Sequence, residues 1–321
     1  MSELEWALSS IGQLAILLEA SSPKPGNVNR LRRFSDAGYR HFVASACLAG
    51  RGLHLAASRG VELADGRIQP HNVRVGEIIH ECTLDVFTGL NRSNTILGTI
   101  LLDVPMIVSC AAAVRSDGRF SVERVGEWAK SVLLGTSVDD AVDVYRAFHL
   151  ARPRGSLDKD TLGWTEIHDR FDITNPNVYD NIREDQVTLY ELFLAARDVD
   201  VICEEWSRFF EITLHEAFPF LDNLAHGLED LEEAVVMTFL YLLSRHPDGL
   251  IIKKVGREKA EEVRRIAEQA YHKATKSGTS DPLVINLDEL LRRDGNLLNP
   301  GTTADFVSAA LVCKLTALMF P

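Results

Sequence analysis

Apolar residues recur at three- and four-residue steps along most of this chain. Near the start, Leu4, Leu8, Ile11 and Leu18 follow that spacing and predict an amphipathic helix that ends near Glu19. The same period predicts later helices at 36–53, 75–87, 94–114, 122–134, 138–149, 185–197, 199–224, 229–245, 258–276, 287–293 and 300–318. No segment alternates apolar and polar residues as a half-buried strand does. The pattern therefore predicts an all-α fold, a single-domain multi-helix bundle over residues 1–321.

Three stretches interrupt the helical pattern. Residues 21–33 contain two prolines and a glycine, which are incompatible with a regular helix. Residues 60–72 are predicted to form a polar loop. Residues 151–185 show little periodicity, and a stretch of this length inside a compact domain is usually functional or disordered.

Composition and charge narrow the class of protein. The 34 Lys and Arg against 46 Asp and Glu give a formal net charge of −12, which argues against broad binding to nucleic acid or to an anionic membrane. The longest apolar run, 97–114, contains Asp103 and Pro105 and predicts a buried helix rather than a membrane span. Five scattered cysteines without a Cys-x-x-Cys pair indicate reduced thiols, and Glu3 and Glu5 stand where a signal peptide would be basic. We expect a cytoplasmic protein that binds neither nucleic acid nor membrane.

A basic loop stiffened by two prolines follows the first predicted helix. It holds Lys24, Arg30, Arg32 and Arg33, and Gly26 allows its backbone to approach a ligand closely. A rigid basic loop before a helix suits a polyphosphate. The alternative is an ordinary connecting loop with solvated charges.

The last predicted helix begins with the sequence NPGTTAD at residues 299–305. Pro300 stands at the first helical position, and Thr302 with Asp305 resembles a capping box in which Asp replaces Glu. Capping explains most of the segment. However, the hydroxyls of Thr302 and Thr303 and the N–H groups of a helix start would also hold phosphate or a metal-bound water.

Residues 91–98, with the sequence NRSNTILG, lead into the strongly apolar helix. Polar groups such as Asn94 and Thr95 could line an internal pocket, and the alternative is a helix cap at Ser93 or Asn94. Both interpretations stay open at this point.

A second group of cations, Lys253, Lys254 and Arg257, flanks a predicted turn. These side chains could reach a phosphate, but a charge at a helix C-terminus or on the surface is the default interpretation. The ten histidines show no metal-ligand spacing.

Taken in chain order, these segments resemble the triphosphoribosyl-dephospho-CoA synthase family. Residues 22–30 resemble its opening motif, residues 94–98 its second motif, and residues 299–305 its closing Asn/Ser-Pro-Gly-Thr/Ser-Ser/Thr-Ala-Asp motif. The resemblance spans roughly residues 14–318. Stretches similar to the archaeal-type branch of the family lie at residues 145–147, 197–198 and 247–256.

The resemblance implies an all-α enzyme with a buried pocket. It would attach the ribose of ATP, with the triphosphate retained, to the ribose hydroxyl of 3′-dephospho-CoA and release adenine. The implied partners are ATP and a CoA-like acceptor, and Mg²⁺ is the implied cofactor because it would partly neutralise the phosphates. We also expect a homodimer, since all-α enzymes of this size often bury a spare apolar helix face.

Carried over residue by residue, the resemblance also assigns roles. The nucleotide- and phosphate-binding set is Lys24, Gly26, Asn29, Arg30, Asn94, Thr95, Thr302 and Thr303. Asp305 is the first choice for the catalytic base, followed by Asp36 and Glu19. Asp305 and Asp36 are also the expected metal ligands. We expect residues 151–185 to close over the substrate.

The chain departs from the family pattern at two motifs. Bacterial members carry His-Lys in the second motif, where this chain has Ile96 and Leu97. Their Gly-Ala-Arg-Gly-Glu segment has only a loose counterpart in residues 152–155. Two alternative functions follow: transfer to a different coenzyme, and a non-catalytic protein that binds a nucleotide or coenzyme.

Overall fold

The fold is built from α-helices. The computed structural model describes residues 3–35, 37–87, 95–151 and 163–321, and these residues contain no β-strand. The helices are α1 (Glu3–Ser21), α2 (Tyr39–Leu48), α3 (Gly50–Ala64), α4 (Val75–Phe87), α5 (Leu97–Asp117), α6 (Val122–Leu134), α7 (Val138–Ala151), α8 (Glu166–Arg170), α9 (Val178–Glu184), α10 (Leu189–Ala196), α11 (Val201–Ser207), α12 (Phe218–Leu224), α13 (Leu231–Arg245), α14 (Gly249–Val255), α15 (Arg257–Ser277), α16 (Pro282–Arg292) and α17 (Gly301–Met319). The predicted all-α fold class is confirmed. That the chain is a single domain over 1–321 stays a prediction.

Helices with a clear apolar period match their predicted positions. The helices predicted at 75–87, 122–134 and 258–276 are α4, α6 and α15, with ends that agree within one residue. The helix predicted over 36–53 is two helices, which meet at Ala49. The predicted polar loop at 60–72 was wrong at its start, because α3 continues to Ala64.

The long helix predicted over 199–224 is broken. α11 ends at Ser207, and Phe209 and Phe210 then take the left-handed backbone region with φ of 55° and 66°. The Glu205 carboxylate lies inside this bend and accepts hydrogen bonds from the backbone N–H groups of Ile212 and Thr213, at 3.0 and 2.8 Å. A single wide turn, Thr213–Ala217, precedes α12. Apolar periodicity does not detect such a break, because the left-handed residues are themselves apolar and buried or half-buried.

The stretch without periodicity, 151–185, is only partly within the described residues. Residues 152–162 lie outside them, while the short helices α8 and α9 form between residues 166 and 184. Helices of five and seven residues are too short for a 3.6-residue period to stand out.

Two apolar helices, α5 and α17, lie in the core and pack against each other. Both are long and apolar enough to cross a membrane by composition, but 94% and 78% of their most apolar windows are buried inside the protein. The buried side chains around them form one continuous cluster. Burial by the other helices therefore accounts for their apolar character.

Two polar contacts set the register between α5 and α17. Thr99 donates a hydrogen bond to Asp305 at 2.7 Å, and one turn further along both helices Ser308 donates to Asp103 at 2.8 Å. The first turns of the two helices consequently lie side by side. Their N-terminal ends, which carry partial positive charge, face the same region of the molecule.

Candidate functional site

A cavity of about 800 Å³ opens where α5 and α17 begin. This volume lies within the range of small-molecule and cofactor sites. The end of α1, the loop that follows it, α7, α10, α14 and the segment from Trp164 to Ile173 complete its wall. Its lining contains polar residues, called the polar side below, and a set of aromatic rings.

Asp305 lies at the centre of the polar side. Its Oδ1 accepts the Thr99 hydroxyl, and both residues line the cavity. A Cβ at Gly98 would lie 2.1 Å from Asp305 Oδ2, so the carboxyl group occupies space that only a glycine leaves. Burial, aided by the charge of Glu19, raises the pKa of Asp305 well above its usual range against the Thr99 hydrogen bond. A carboxyl group with a raised pKa can exchange a proton near neutral pH.

Glu19 is a second carboxyl group on the polar side. It lines the cavity at the end of α1, and Oε1 lies 2.9 Å from the Nζ of Lys24. Lys24 is fully buried and also donates to the backbone oxygens of Glu19 and Ser22. Burial raises the pKa of Glu19 and lowers that of Lys24, although each partner opposes the other's shift. Lys24 therefore supports Glu19 from behind and is not part of the cavity wall.

The cations that do line the cavity come from α14. Lys253 forms an ion pair with Asp200, and Lys254 donates to the backbone oxygen of Asn296 at 2.6 Å. Burial alone would lower the pKa of Lys253, but the charge and the hydrogen bond of Asp200, with smaller contributions from Cys203 and Asp305, together raise it. Both lysines lie in the last turn of α14, as the default interpretation of a charge at a helix C-terminus predicts, and they also line the cavity. Arg257 is exposed.

Aromatic rings form a second part of the lining, called the aromatic side below. Its rings belong to Phe34, Phe42, Phe87, Tyr145, Phe148, Trp164, Phe171 and Phe193. His149 and His168 also line the cavity, and both ring nitrogens of each are hydrogen-bonded. Those of His149 bond to the Tyr179 hydroxyl and the Ile173 backbone oxygen. Those of His168 bond to the Thr165 hydroxyl and the Ala195 backbone oxygen. This side suits the apolar part of a ligand rather than its charged part.

The basic loop at residues 22–33 was expected to bind phosphate through its cations, but two of its polar side chains bond to other groups of the protein instead. Arg30 lies on the surface and binds Glu232 of α13 through both guanidinium Nη atoms. The Asn29 Oδ1 accepts the backbone N–H groups of Leu31 and Arg32, each at 2.9 Å, and so closes a turn. Neither side chain lines the cavity, and their predicted contact with phosphate stays a prediction.

Gly26 is required by packing inside the protein. Its φ is +70°, and an added Cβ would lie 2.5 Å from Leu291 of α16. Close approach occurs here, but toward a helix rather than a ligand. Asn27 and Val28 are the loop residues that line the cavity, and Asn27 donates to the backbone oxygen of Pro300 at 3.2 Å. The loop is thereby tied to the start of α17.

The remaining residues that the sequence predicted for the site differ in whether they line the cavity. Thr302 and Thr95 line the cavity, and the Thr95 hydroxyl lies 2.7 Å from that of Ser45. Thr303 turns away, and its N–H and hydroxyl both donate to Asp248 Oδ2, at 2.7 and 2.8 Å. Its predicted role with phosphate stays untested. Asp36 and Asn94 lie outside the described residues.

The carboxyl groups of the polar side fit only a loosely held metal. Within residues 3–35, 37–87, 95–151 and 163–321 there is no group of three or more His, Cys, Asp and Glu side chains placed to hold a metal ion. Mg²⁺ is often held by one or two carboxylates plus the phosphates of a substrate. Glu19 and Asp305 both line the cavity and supply such a donor set.

Sequence reasoning missed several residues of the site. Thr99 was not considered, because a threonine inside an apolar helix looks like core. The aromatic side was missed because its rings come from seven separate segments of the chain. Lys253 and Lys254 are different, because the sequence does name them as side chains that could reach a phosphate, although a helix-terminal or surface charge is its default interpretation.

The chain is similar to known proteins over most of its length. The model of the CitG family, described as ATP:dephospho-CoA triphosphoribosyl transferase, matches residues 5–319. A crystal structure from Archaeoglobus fulgidus, of a protein provisionally named triphosphoribosyl-dephospho-CoA synthase, is 26% identical and has a TM-score of 0.60. That match covers 86% of this chain and 98% of the other. No curated protein sequence matches the chain.

The resemblance found in the sequence motifs is thus confirmed over almost the whole chain. Both the second and the closing motif reach the cavity, through Thr95 and Gly98 and through Thr302 and Asp305. The chain belongs to the ATP:dephospho-CoA triphosphoribosyl transferase family of enzymes.

Proposed function

We propose that the cavity is where this enzyme transfers the triphosphoribosyl group of ATP to the ribose hydroxyl of 3′-dephospho-CoA and releases adenine. The observation that carries the proposal is the cavity itself. It places a pair of carboxyl groups, a pair of lysines and an aromatic side within one volume of about 800 Å³. Glycosyl transfer from a polyphosphorylated nucleotide to a coenzyme needs all three.

The chemistry assigns roles to the polar side. The bond from ribose C1′ to adenine breaks, the bond from C1′ to the acceptor oxygen forms, and the acceptor hydroxyl loses a proton. We assign that proton to Asp305, whose carboxyl group is held by Thr99 at the cavity wall. In its ionised form Glu19 would stabilise positive charge that develops on the ribose in the transition state.

Mg²⁺ is part of the proposal. It would neutralise phosphate charge, and Glu19 and Asp305 are the described carboxyl groups able to hold it. Asp36, the other predicted ligand, follows the same loop but lies outside the described residues. Because both carboxyl pKa values are raised, binding of the cation should release protons.

The acceptor is assigned to the aromatic side. Dephospho-CoA carries a pantetheine arm that is longer and less polar than a nucleotide phosphate. Phe148, Phe171 and Trp164 offer such an arm apolar surface within reach of the polar side. The His-Lys pair of bacterial members is replaced by Ile96 and Leu97, and Leu97 lies in the cavity wall as an apolar group.

The direct test is adenine release, measured by chromatography with ATP, Mg²⁺ and dephospho-CoA. We expect adenine only when the acceptor is present. Asp305→Asn keeps the shape of the side chain and removes the base, and it should lower the rate about 100-fold or more. Asp294→Asn, an exposed carboxyl group, is the matched control and should leave the rate unchanged. Full adenine release by Asp305→Asn would remove Asp305 from the mechanism.

The two alternative functions give different results in the same experiment. Transfer to another coenzyme would give no adenine with dephospho-CoA but would give adenine with the true acceptor. A protein that only binds would be stabilised by ATP without releasing adenine from any acceptor. Both carboxyl groups to which we assign catalytic roles, Glu19 and Asp305, line the cavity, and this favours an enzyme.

A cytoplasmic location and a homodimer belong to the same proposal. Five free cysteines, four of them buried, support a reducing compartment. Leu283 and Ile285 of α16 are exposed apolar side chains that a second copy could cover. Analytical ultracentrifugation measures directly whether the protein forms this homodimer.

A further inference from the structure

The cavity must accommodate the charge of a triphosphate, and its cations are few. Among the described residues that line it, Lys253 and Lys254 are the only lysine or arginine side chains. The carboxyl groups Glu19, Asp172, Asp200 and Asp305 line the same cavity. Those of the four that are ionised would repel a polyanion, and the region of Lys253 and Lys254 is the part of the lining that attracts one.

We propose that Lys253, with Lys254 beside it, binds the triphosphate by exchanging its ion pair with Asp200 for phosphate oxygens. The proposal rests on the proposed function and names the residues of this site that select a polyphosphate. It differs from the assignment made from sequence, in which the loop lysine and arginine, Lys24 and Arg30, bind the phosphates.

The ion pair is placed so that its exchange costs little. Lys253 Nζ contacts Asp200 Oδ2, and the two side chains are 26% and 16% exposed, so both reach the cavity surface. Asp200 Oδ1 accepts the backbone N–H groups of Ile202 and Cys203, at 2.8 and 3.2 Å. When Lys253 turns to a phosphate, Asp200 keeps these two hydrogen bonds as the cap of α11. Its carboxylate therefore stays hydrogen-bonded at Oδ1 after Lys253 has turned away.

The surroundings of Lys253 also point to an anion. The first turn of α17 lines the same wall through Thr302, and a helix N-terminus attracts negative charge. Lys253 and Asp305 are close enough for each charge to affect the ionisation of the other. The triphosphate would thereby be held beside the carboxyl group that we assign to the acceptor proton.

The basic loop cannot serve in the same way without rearrangement. Lys24 is fully buried behind Glu19, and Arg30 is held on the surface by Glu232. Reaching the cavity would require Lys24 to abandon a buried carboxylate and two backbone oxygens. Removing a partner from a buried pair is costly, whereas the Lys253 pair is already at the cavity surface.

The test uses inorganic tripolyphosphate as the probe, with binding to the whole chain measured by calorimetry. Lys253→Met keeps the apolar stem and should raise the dissociation constant roughly tenfold or more, whereas Lys253→Arg should restore most of the affinity. Asp200→Asn keeps the cap of α11 but removes the competing charge, so it should bind tripolyphosphate more tightly than the wild type. Lys259→Met, which removes an exposed lysine paired with Glu262, is the matched control.

The outcomes separate this inference from the proposed function. Unchanged tripolyphosphate binding in Lys253→Met, or a loss confined to Arg30→Met, would overturn it whether or not adenine is released. Weaker binding in Asp200→Asn would also overturn it, because Asp200 would then support the anion rather than compete with it. If Lys253→Met alone loses tripolyphosphate but no acceptor yields adenine, the phosphate site stands and the transferase proposal fails. In active enzyme, the KM for ATP should rise in Lys253→Met while the KM for the acceptor stays constant.

Discussion

At the scale of single residues, burial and neighbours decide what each charged side chain does. Lys24 and Lys253 are chemically identical, yet one is enclosed behind Glu19 and the other reaches the cavity beside Asp200. The same holds for the threonines of the closing motif, since Thr302 faces the cavity and Thr303 binds Asp248. Residue type and spacing predicted a site in this region, but they did not distinguish between these neighbours.

A residue-scale prediction concerns Gly98. In Gly98→Ala the new Cβ would lie 2.1 Å from Asp305 Oδ2, so the carboxyl group must rotate away from Thr99. A displacement of this size at a reacting group costs about 10- to 100-fold in kcat/KM, measured by adenine release. Gly126→Ala is the control, since its Cβ would meet only Leu214, at 3.6 Å, and alanine favours a helix. Equal activity of both variants would contradict a positioning role for Gly98.

At the scale of elements, apolar periodicity locates helices but not their ends, which are marked instead by capping residues and prolines. The start of α16 shows this, because Asp281 caps it through Leu283 and Pro282 occupies its first turn. The apolar period alone placed that start five residues later, at 287. Asp-Pro is a recognisable helix start, and reading it as one would have corrected the boundary. The break after α11 has no such marker.

An element-scale prediction concerns the carboxyl group inside that break. Burial raises the pKa of Glu205 from 4.5 to about 7, against the hydrogen bonds from Thr213 and Ile212. Because the folded state holds the proton more tightly than the unfolded state, the stabilisation is complete below pH 4.5 and is lost as the pH rises to 7. The loss amounts to about 3 kcal/mol of unfolding free energy.

Urea unfolding at pH 5 and pH 8 measures this effect. Glu205→Gln does not titrate, so its stability should fall less than that of the wild type over this interval, whatever its absolute stability. Subtracting the variant's change in unfolding free energy between pH 5 and pH 8 from that of the wild type removes the contributions of Asp305 and Glu19, which are common to both proteins. Identical pH dependence in the two proteins would show that Glu205 titrates normally.

At the scale of the whole molecule, the core and the site share the same two helices. α5 and α17 are buried along most of their length, and their first turns form the polar side of the cavity. A ligand bound there touches helices from both halves of the chain. Its binding free energy should therefore stabilise the molecule as a unit.

A whole-molecule prediction follows. ATP with Mg²⁺, at 100 times its dissociation constant, should raise the unfolding free energy by about 2.7 kcal/mol. The fluorescence of the four tryptophans, one of which lines the cavity, reports the transition. Sodium sulfate at matched ionic strength is the control for a general effect of charge. Equal stabilisation by sulfate and by ATP would argue against a nucleotide site.

Much of this protein was determined by its sequence alone. Apolar spacing was sufficient for the helical fold class and for helices such as α4, α6 and α15, because helix periodicity is a local property. The ordered motifs identified the family, and each of the three contributes residues to the cavity wall. Asp305 and Glu19, both named from the sequence, lie in its wall.

Only the tertiary structure decided which candidates meet. It buried Lys24, bound Arg30 to Glu232 on the surface and brought Lys253 into the cavity, although the three are equally basic in sequence. It also assembled the aromatic side from distant segments. The physical reason is that exposure and partnership depend on how helices pack, whereas spacing along the chain records only how each helix is built.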